Sequence, residues 1–341
     1  MSYSLARALL FRMDPEKAHD LALKALDIGA ATPWGAWQRR QVPDDPVDVM
    51  GLRFPNRVGL AAGLDKNASH INALGRLGFG FVEVGTVTPR PQPGNPKPRL
   101  FRLPEAGAII NRMGFNNQGL EKFLENVRRR DYSGILGLNI GKNFDTPVED
   151  ALSDYRKGLQ AVHPWADYIT VNISSPNTQG LRALQHGELL DALLGGLREN
   201  LDQLDSGAGR RVPLVLKVAP DLEPADMDAI ASALLRFGID GLIATNTTIS
   251  RSGVEGLPHA DEAGGLSGRP LMAAATEVVR GFAARLEGKV PIIAAGGIAS
   301  GADALAKIEA GASLVQIYTG FIYEGPPLVA QIARTLAESK A

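Results

Sequence analysis

The sequence predicts an α/β chain folded as a (β/α)8 TIM barrel with a small N-terminal helical extension. Short apolar runs, each followed by a helix-like segment, recur eight times over about 260 residues, which is the repeat of that fold. The length of 341 residues suits one such barrel plus an extension. Polar side chains follow nearly every apolar run, at the strand ends where barrels of this kind carry their sites.

Composition narrows the chemistry. With 45% hydrophobic residues the chain can bury a large core, and a formal net charge of -1 gives no basic field for nucleic acid. Any anionic ligand has to be met by local lysines. The absence of cysteine removes disulfides, thiolate metal sites, iron–sulfur clusters and cysteine nucleophiles or bases. The first residues lack a signal-peptide core, and no stretch reaches the ~18 uncharged apolar residues of a spanning helix, so the chain is expected to stay in the cytosol.

Residues 1–45 read as the extension and 46–341 as the barrel. One helix covers about 4–12; a second is capped by Asp14, has Pro15 at its first position and runs to about Ala30. On a helical wheel Glu16, Lys17, Asp20, Lys24 and Asp27 share one arc; Ala18, Leu21, Ala22, Leu23, Ala25, Leu26 and Ile28 share the other, with His19 inside it. A proline-interrupted segment with Trp34 and Trp37 follows. So wide an apolar surface on so small an element is either docked on the barrel or applied to a membrane interface, and its balanced charges argue against a purely electrostatic anchor.

After a proline-rich linker at 42–49, eight runs read as strands: 58–62, 81–85, 135–140, 168–173, 214–218, 241–245, 292–295 and 314–317. The second connection is unusually long and contains alternating segments at 100–103 and 108–110, which predict a small hairpin over the barrel mouth. The residues just after the runs include Asp65, Lys66, Thr86, Asn139, Lys142, Lys217, Thr245 to Thr247, Gly296, Gly297, Tyr318 and Thr319. The fourth run ends in Asn172-Ile173-Ser174-Ser175-Pro176-Asn177-Thr178, where Pro176 stiffens a turn rich in amides and hydroxyls. Lys66 and Lys217 both follow buried strands, and two cations at one barrel mouth imply an anionic ligand. Gly296-Gly297 and Thr319-Gly320 suit a phosphate site built from the last two strand ends. No His/Asp/Glu cluster has metal-ligand spacing, and no serine has the setting of a hydrolase nucleophile. What remains is a phosphate-bearing cofactor, two cations and a ring of amides and hydroxyls suited to a flat polar heterocycle.

The runs 59–66 (GLAAGLDK), 83–95 (EVGTVTPRPQPGN), 111–117 (NRMGFNN), 172–178 (NISSPNT), 264–270 (GGLSGRP) and 316–320 (QIYTG) occur in this order across the whole chain. Together they resemble the membrane-associated, quinone-dependent class 2 dihydroorotate dehydrogenases. Gln179 departs from the family's usual Asn-Thr-Pro-Gly, in the loop that follows the base. The resemblance implies one FMN per chain, oxidation of (S)-dihydroorotate to orotate in pyrimidine biosynthesis, and delivery of the electrons to a membrane quinone. By this match Ser175 is the general base, with Thr178 the nearest hydroxyl to pass its proton on. Lys66 meets the substrate carboxylate, and Asn111, Arg112, Met113, Gly114, Phe115, Asn172, Asn177, Asn246 and Thr247 surround the pyrimidine. Ala62, Gly63, Leu64, Asp65, Lys66, Thr86, Asn139, Asn172, Lys217, Thr245, Gly268, Gly297, Tyr318 and Thr319 hold the flavin, with Lys217 stabilising the charge that builds there. His19, Arg102 and Tyr318 close the inner end of a quinone tunnel formed by the N-terminal helices. The same resemblance implies a monomer, peripheral at the cytoplasmic face of the cell membrane. Two rivals share the barrel: a soluble FMN oxidoreductase with another acceptor, and a non-redox phosphate-binding enzyme, which would be colourless. A non-catalytic scaffold has no reason to place polar residues at nearly every strand end.

Overall fold

Eight short parallel strands close on one another because each βα unit returns the chain to the same edge of the sheet. The structure, a computed structural model, describes residues 3–339, the side chains of Trp34, Ala36 and Trp37 excepted, so the surface expected of the two tryptophans lies outside the described residues. The chain opens with helices α1 (Tyr3–Leu10), α2 (Pro15–Ala30) and α3 (Pro33–Arg40), then an antiparallel hairpin of β1 (Val47–Val49) and β2 (Leu52–Phe54). There follow β3 (Val58–Leu60), α4 (Ile71–Gly75), β4 (Phe81–Val87), the excursion β5 (Leu100–Leu103) and β6 (Ala108–Asn111), and α5 (Gly119–Arg128). Next come β7 (Ile135–Ile140), α6 (Ala151–Val162), β8 (Tyr168–Asn172), α7 (Gly187–Ala208), β9 (Leu214–Val218), α8 (Pro224–Arg236) and β10 (Gly241–Ala244). The chain finishes with β11 (Gly265–Gly268), α9 (Met272–Leu286), β12 (Ile292–Ala295), α10 (Gly301–Glu309), β13 (Leu314–Ile317), α11 (Thr319–Glu324) and α12 (Pro327–Glu338).

The closed barrel runs β10-β12-β13-β3-β4-β7-β8-β9, all pairings parallel, so the (β/α)8 expectation holds and each predicted strand lies within two residues of the observed one. Two elements differ from the sequence reading. The 42–49 linker already contains β1, and the proline-interrupted segment forms α3, because Pro33 sits at a helix start where its missing N–H costs nothing.

The barrel floor is filled with carbon. Phe81, Tyr168, Val215, Ile243, Ile293 and Leu314 point inward at the strand beginnings, and Val49 and Phe54 of the β1–β2 hairpin plug them from below. Phe81 packs edge-on between Phe54 (5.2 Å, 81°) and Tyr168 (6.3 Å, 68°), the geometry aromatic quadrupoles favour. Two glycines make the space: a Cβ on Gly59 would lie 2.1 Å from the Phe81 ring, and one on Gly137 2.2 Å from the Tyr168 ring.

At the opposite end the predicted hairpin forms from β5 and β6, and β11, more than 150 residues further on, adds to it as a third strand. This sheet anchors the N-terminal helices. Glu16 on α2 receives two hydrogen bonds from Arg99, at 2.9 and 3.0 Å, with Lys97 at 3.1 Å. Arg102 donates to the carbonyls of Leu10 (3.0 Å) and Met13, capping the end of α1, while its guanidinium lies 4.7 Å over the Phe11 ring. Ala18 and Leu23 of α2 are buried, but Leu21 and Ile28 remain exposed, as do Leu5, Leu9 and Met13. The barrel therefore covers less than the apolar arc offers. Among the described residues no helix is long and apolar enough to cross a membrane.

The floor packing is testable by a double-mutant cycle. Phe81→Ala should cost about 3–5 kcal/mol. Gly59→Ala alone should also destabilise, but little once Phe81 is already Ala; strictly additive losses in urea unfolding would show that the ring and the missing Cβ are not in competition.

Candidate active site

Above the carbon floor the interior turns polar, and above that it opens. The opening is a cleft enclosing about 1030 Å³ of empty space, part of it open to solvent. Seven of the eight strand ends contribute, all but that of β7. Ala61, Ala62, Gly63 and Lys66 come from the turn after β3, Thr86 from β4, and Asn172, Ser175, Pro176 and Asn177 from β8 and its turn. Lys217 comes from β9, Thr245 to Thr247 follow β10, Gly296 and Gly297 follow β12, and Gln316, Tyr318 and Thr319 close the circle. The mouth sheet supplies Asn111, Met113, Gly114, Phe115, Ser267 and Gly268. The peptide bonds preceding Thr86 and Thr245 are both cis.

The turn after β8 is held rigidly. Ser174 is buried and its hydroxyl donates to Asn172 Oδ1 (2.9 Å); Asn177 N donates to Ser175 Oγ (3.2 Å). Arg182 donates to the carbonyls of Ser174 (3.1 Å) and Thr247 (2.9 Å), joining the turns after β8 and β10. Asn177 Nδ2 reaches the Asn111 carbonyl at 3.1 Å, so the mouth sheet is tied to the same turn. Thr178 is buried and its Oγ1 has no partner among the described residues, which leaves one hydroxyl of this turn uncommitted.

Two lysines face the cleft, as the strand-end reading requires. Burial pulls the Lys66 ammonium down to about 8, helped by the Arg99 charge and opposed by Glu16 and Asp65; its Nζ donates to Gly63 O at 2.7 Å. Burial also lowers Lys217, and the carboxylate of Glu83 below it works in the opposite direction. Burial pushes the Tyr318 phenol up to about 12, so it is a neutral donor, with its OH 3.4 Å from Gly63 O. His19, half-buried on α2, is pulled down to about 4 by burial first and by the Lys66 charge second, so at neutral pH it is an uncharged imidazole. Its ring bonds to the Leu64 backbone, next to the Gly63 carbonyl that Tyr318 and Lys66 share. His19 and Tyr318 thus meet the same short segment, whereas Arg102 is engaged with the end of α1.

Some motif residues do not face the cleft. Arg112 turns outward to Glu262 (2.7 Å) and over the Phe101 ring (4.6 Å). Asp65 is buried and caps the following turn by accepting from Ser69 N (2.9 Å) and His70 N (2.7 Å); burial raises its carboxyl. Leu64 belongs to the core. Asn139 lies one layer down, accepting from Thr86 Oγ1 at 2.6 Å. Lys142, grouped with the strand-end residues by its position, is buried in its own turn on the carbonyls of Asn143 (3.1 Å) and Thr146 (2.8 Å). Conversely Glu83, Gln316 and Ser267 were not singled out as site residues by the sequence, although a charge inside Val82-Glu83-Val84 and an amide inside Val315-Gln316-Ile317 are visible signals.

The cleft fits a phosphate-bearing flat cofactor. Gly268, Gly296 and Gly297 all have positive φ and pack too closely for a side chain: a Cβ on Gly297 would meet Met272 Cα at 2.2 Å, and one on Gly268 the Gly107 carbonyl at 2.3 Å. The wall there is bare backbone beside the Thr319 hydroxyl, which bonds Ser267 at 2.8 Å. Gln316 Oε1, a buried acceptor, has no partner among the described residues.

Comparison with known proteins agrees with this site. A family model described as dihydroorotate dehydrogenase matches residues 46–339. A protein of Methylococcus capsulatus named dihydroorotate dehydrogenase (quinone) is 61% identical over 334 residues, covering 98% of each chain. One of the same name from Delftia acidovorans is 58% identical over 342 residues, again 98% of each. The crystal structure of DHODH from Eimeria tenella in complex with ferulenol superposes with a TM-score of 0.88 at 42% identity, covering 95% of this chain and 90% of that one. Its ligand-free form gives 0.87 at 43% identity, covering 95% and 94%. Barrel, cleft and relatives converge on one statement: the chain belongs to the dihydroorotate dehydrogenase family.

Proposed function

We propose how the residues of this cleft carry out the family's reaction. The chain is a quinone-dependent, flavin-using oxidoreductase that oxidises dihydroorotate to orotate in pyrimidine biosynthesis. The flavin is FMN, and one observation carries the assignment of roles: a single cleft joins Ser175, Lys66 and a ring of amides on one side to the bare glycine wall on the other. Thr86, Thr245 and Lys217 would hold the ring system of FMN, and Gly268, Gly297 and Thr319 its phosphate. Held by these residues, FMN would supply the two-electron acceptor that couples oxidation of the substrate to reduction of the quinone.

Ser175 Oγ takes the proton from the neighbouring ring carbon. A serine is a weak base, so it acts while giving its own hydroxyl proton onward, and the unpartnered Oγ1 of Thr178 is the acceptor its turn offers. Lys66 meets the substrate carboxylate; Asn111, Asn172, Asn177, Asn246 and Thr247 present both donors and acceptors to the alternating carbonyl and N–H edge of the pyrimidine. Ser175→Ala should leave the flavin spectrum intact and slow its reduction by dihydroorotate at least ~100-fold. A near-normal rate would place the base elsewhere.

The low-lying ammonium of Lys66 gives binding a pH dependence. A carboxylate favours charged lysine, so the bound form holds its proton above pH 8 while the free form loses it. Orotate affinity should therefore be flat below about pH 8 and fall up to ~10-fold per unit above it. Lys66→Met should bind weakly and without that fall; titrations showing the same slope in the variant would remove Lys66 from the carboxylate.

Residues 1–45 are the quinone side of the enzyme. Neutral His19, its one N–H given to the Leu64 backbone, packs at the inner end, where Tyr318 is a donor and Arg102 adds the part of its guanidinium that Leu10 and Met13 do not use. The apolar side chains left uncovered, Leu5, Leu9 and Ile28 (59%, 59% and 73% exposed), suit the interface of a bilayer, where a monomer would sit peripherally on the cytoplasmic face. Replacing these three with serine should abolish co-sedimentation with lipid vesicles and slow reoxidation by long-tailed quinones, while reduction by dihydroorotate stays unchanged. Undiminished vesicle binding would exclude this face as the anchor.

A further inference from the structure

Glu83 has no role among those assigned above, yet its side chain is fully buried in the middle of the barrel. Four donors converge on it. Asn139 Nδ2 reaches Oε1 at 2.7 Å; Gln316 Nε2 (2.8 Å), the Tyr168 hydroxyl (2.9 Å) and the Thr170 hydroxyl (3.2 Å) reach Oε2. From Asn139 a continuous chain climbs to the cleft. Asn246 Nδ2 donates to Ser174 Oγ (2.9 Å), Ser174 Oγ to Asn172 Oδ1 (2.9 Å), Asn172 Nδ2 to Thr86 Oγ1 (3.0 Å), Thr86 Oγ1 to Asn139 Oδ1 (2.6 Å), and Asn139 to Glu83.

Every link donates toward Glu83. Amides and hydroxyls can each run either way, whereas a carboxylate can only accept and a backbone N–H can only donate. A carboxylate at the foot obliges Asn139 to turn its NH2 down and its oxygen up. That fixes the Thr86 proton and leaves the Thr86 oxygen to accept from the Asn172 amide, while Asn172 and Asn246 are oriented from their other ends, Ser174 N donating to Asn172 Oδ1 (3.2 Å) and Thr247 N to Asn246 Oδ1 (2.8 Å). Thr86, Asn172 and Asn246 all line the cleft. We propose that Glu83 is a positioning residue whose carboxylate sets the donor sense of Asn139 and Thr86 and thereby keeps the Thr86 oxygen free to seat the Asn172 amide that faces the pyrimidine. The inference rests on the assignment of the cleft to FMN and dihydroorotate.

Glu83→Gln tests it without altering shape. The new amide presents one acceptor and one donor; with its oxygen kept by Tyr168, Thr170 and Gln316, its NH2 faces Asn139, whose own amide must turn over. The turned Asn139 amide then meets the Thr86 oxygen that already accepts from Asn172 and takes away the acceptor of the Thr86 proton, which disturbs the seat of Asn172. The readouts are thermal unfolding, flavin content from the visible spectrum, and orotate affinity by equilibrium dialysis. Glu83→Gln should retain flavin and lose about 10-fold or more in orotate affinity, the scale of one mispaired buried hydrogen bond. The double variant Glu83→Gln/Asn139→Asp moves the carboxylate one link up, where it accepts both from the amide now below it and from Thr86, and should recover most of the affinity.

Wild-type affinity in the single variant, or no recovery in the double, overturns the proposal, since a requirement for charge or volume at position 83 alone would not be met by a carboxylate at 139. Should the single variant fail to fold, the double decides: folding with near-normal orotate affinity supports the relay, and weak binding or failure to fold refutes it. Unmutated protein that binds neither flavin nor orotate would instead overturn the assignment of the cleft, and the proposal with it.

Discussion

The interior of an eight-stranded barrel has a fixed width, and everything placed inside must either fill it with carbon or find a hydrogen-bond partner. This chain does both, sorted by height. Aromatic rings set into the missing side chains of Gly59 and Gly137 fill the floor. One layer higher a single carboxylate gathers four donors, so the desolvation of Glu83 is offset by partners that would themselves be costly to bury alone. Only because these lower layers are complete can the third layer be left incomplete, with Gln316 Oε1 and Thr178 Oγ1 unpaired among the described residues at the strand ends.

The second constraint is lateral. A barrel mouth is open to water, and the proposed roles of Lys66 and Ser175 require both to act where water is scarce. The mouth sheet of β5, β6 and β11 closes one side, and α2 closes another through the paired contacts of Glu16 with Arg99 and Lys97. Because α2 also brings His19 onto the Leu64 backbone, the helix that shields Lys66 carries an imidazole that the Lys66 charge helps to keep neutral. Shielding and electrostatics are one arrangement.

The barrel was legible because strands buried on both faces leave continuous apolar runs, and the polar residues that follow them have no other reason to be there. Ser175, Lys66 and Lys217 could be found by that logic alone. The third strand of the mouth sheet could not, since Gly265–Gly268 is a glycine-rich segment whose partner lies more than 150 residues away. Arg112 came in with its motif, although strand alternation around Asn111 and Met113 turns it outward. Lys142 looked like a third cleft cation because position after a strand does not reveal a side chain folded back on its own turn. Glu83 escaped because a lone charge inside a strand reads as noise until its four partners, from three other strands, are seen together.

The anchoring of α1 has a bearing on how the chain is made. Tyr3 donates to the carbonyl of Ile322 at 2.6 Å, across 319 positions of sequence, and Phe11 packs edge-on to Tyr323. During synthesis at about 5–20 residues per second, α1 therefore waits roughly 15–60 s for the surface on which it docks. For that interval Tyr3 and Phe11 have no barrel wall to lean on, and the order of manufacture presents the apolar helix to its surroundings before the enzyme behind it exists.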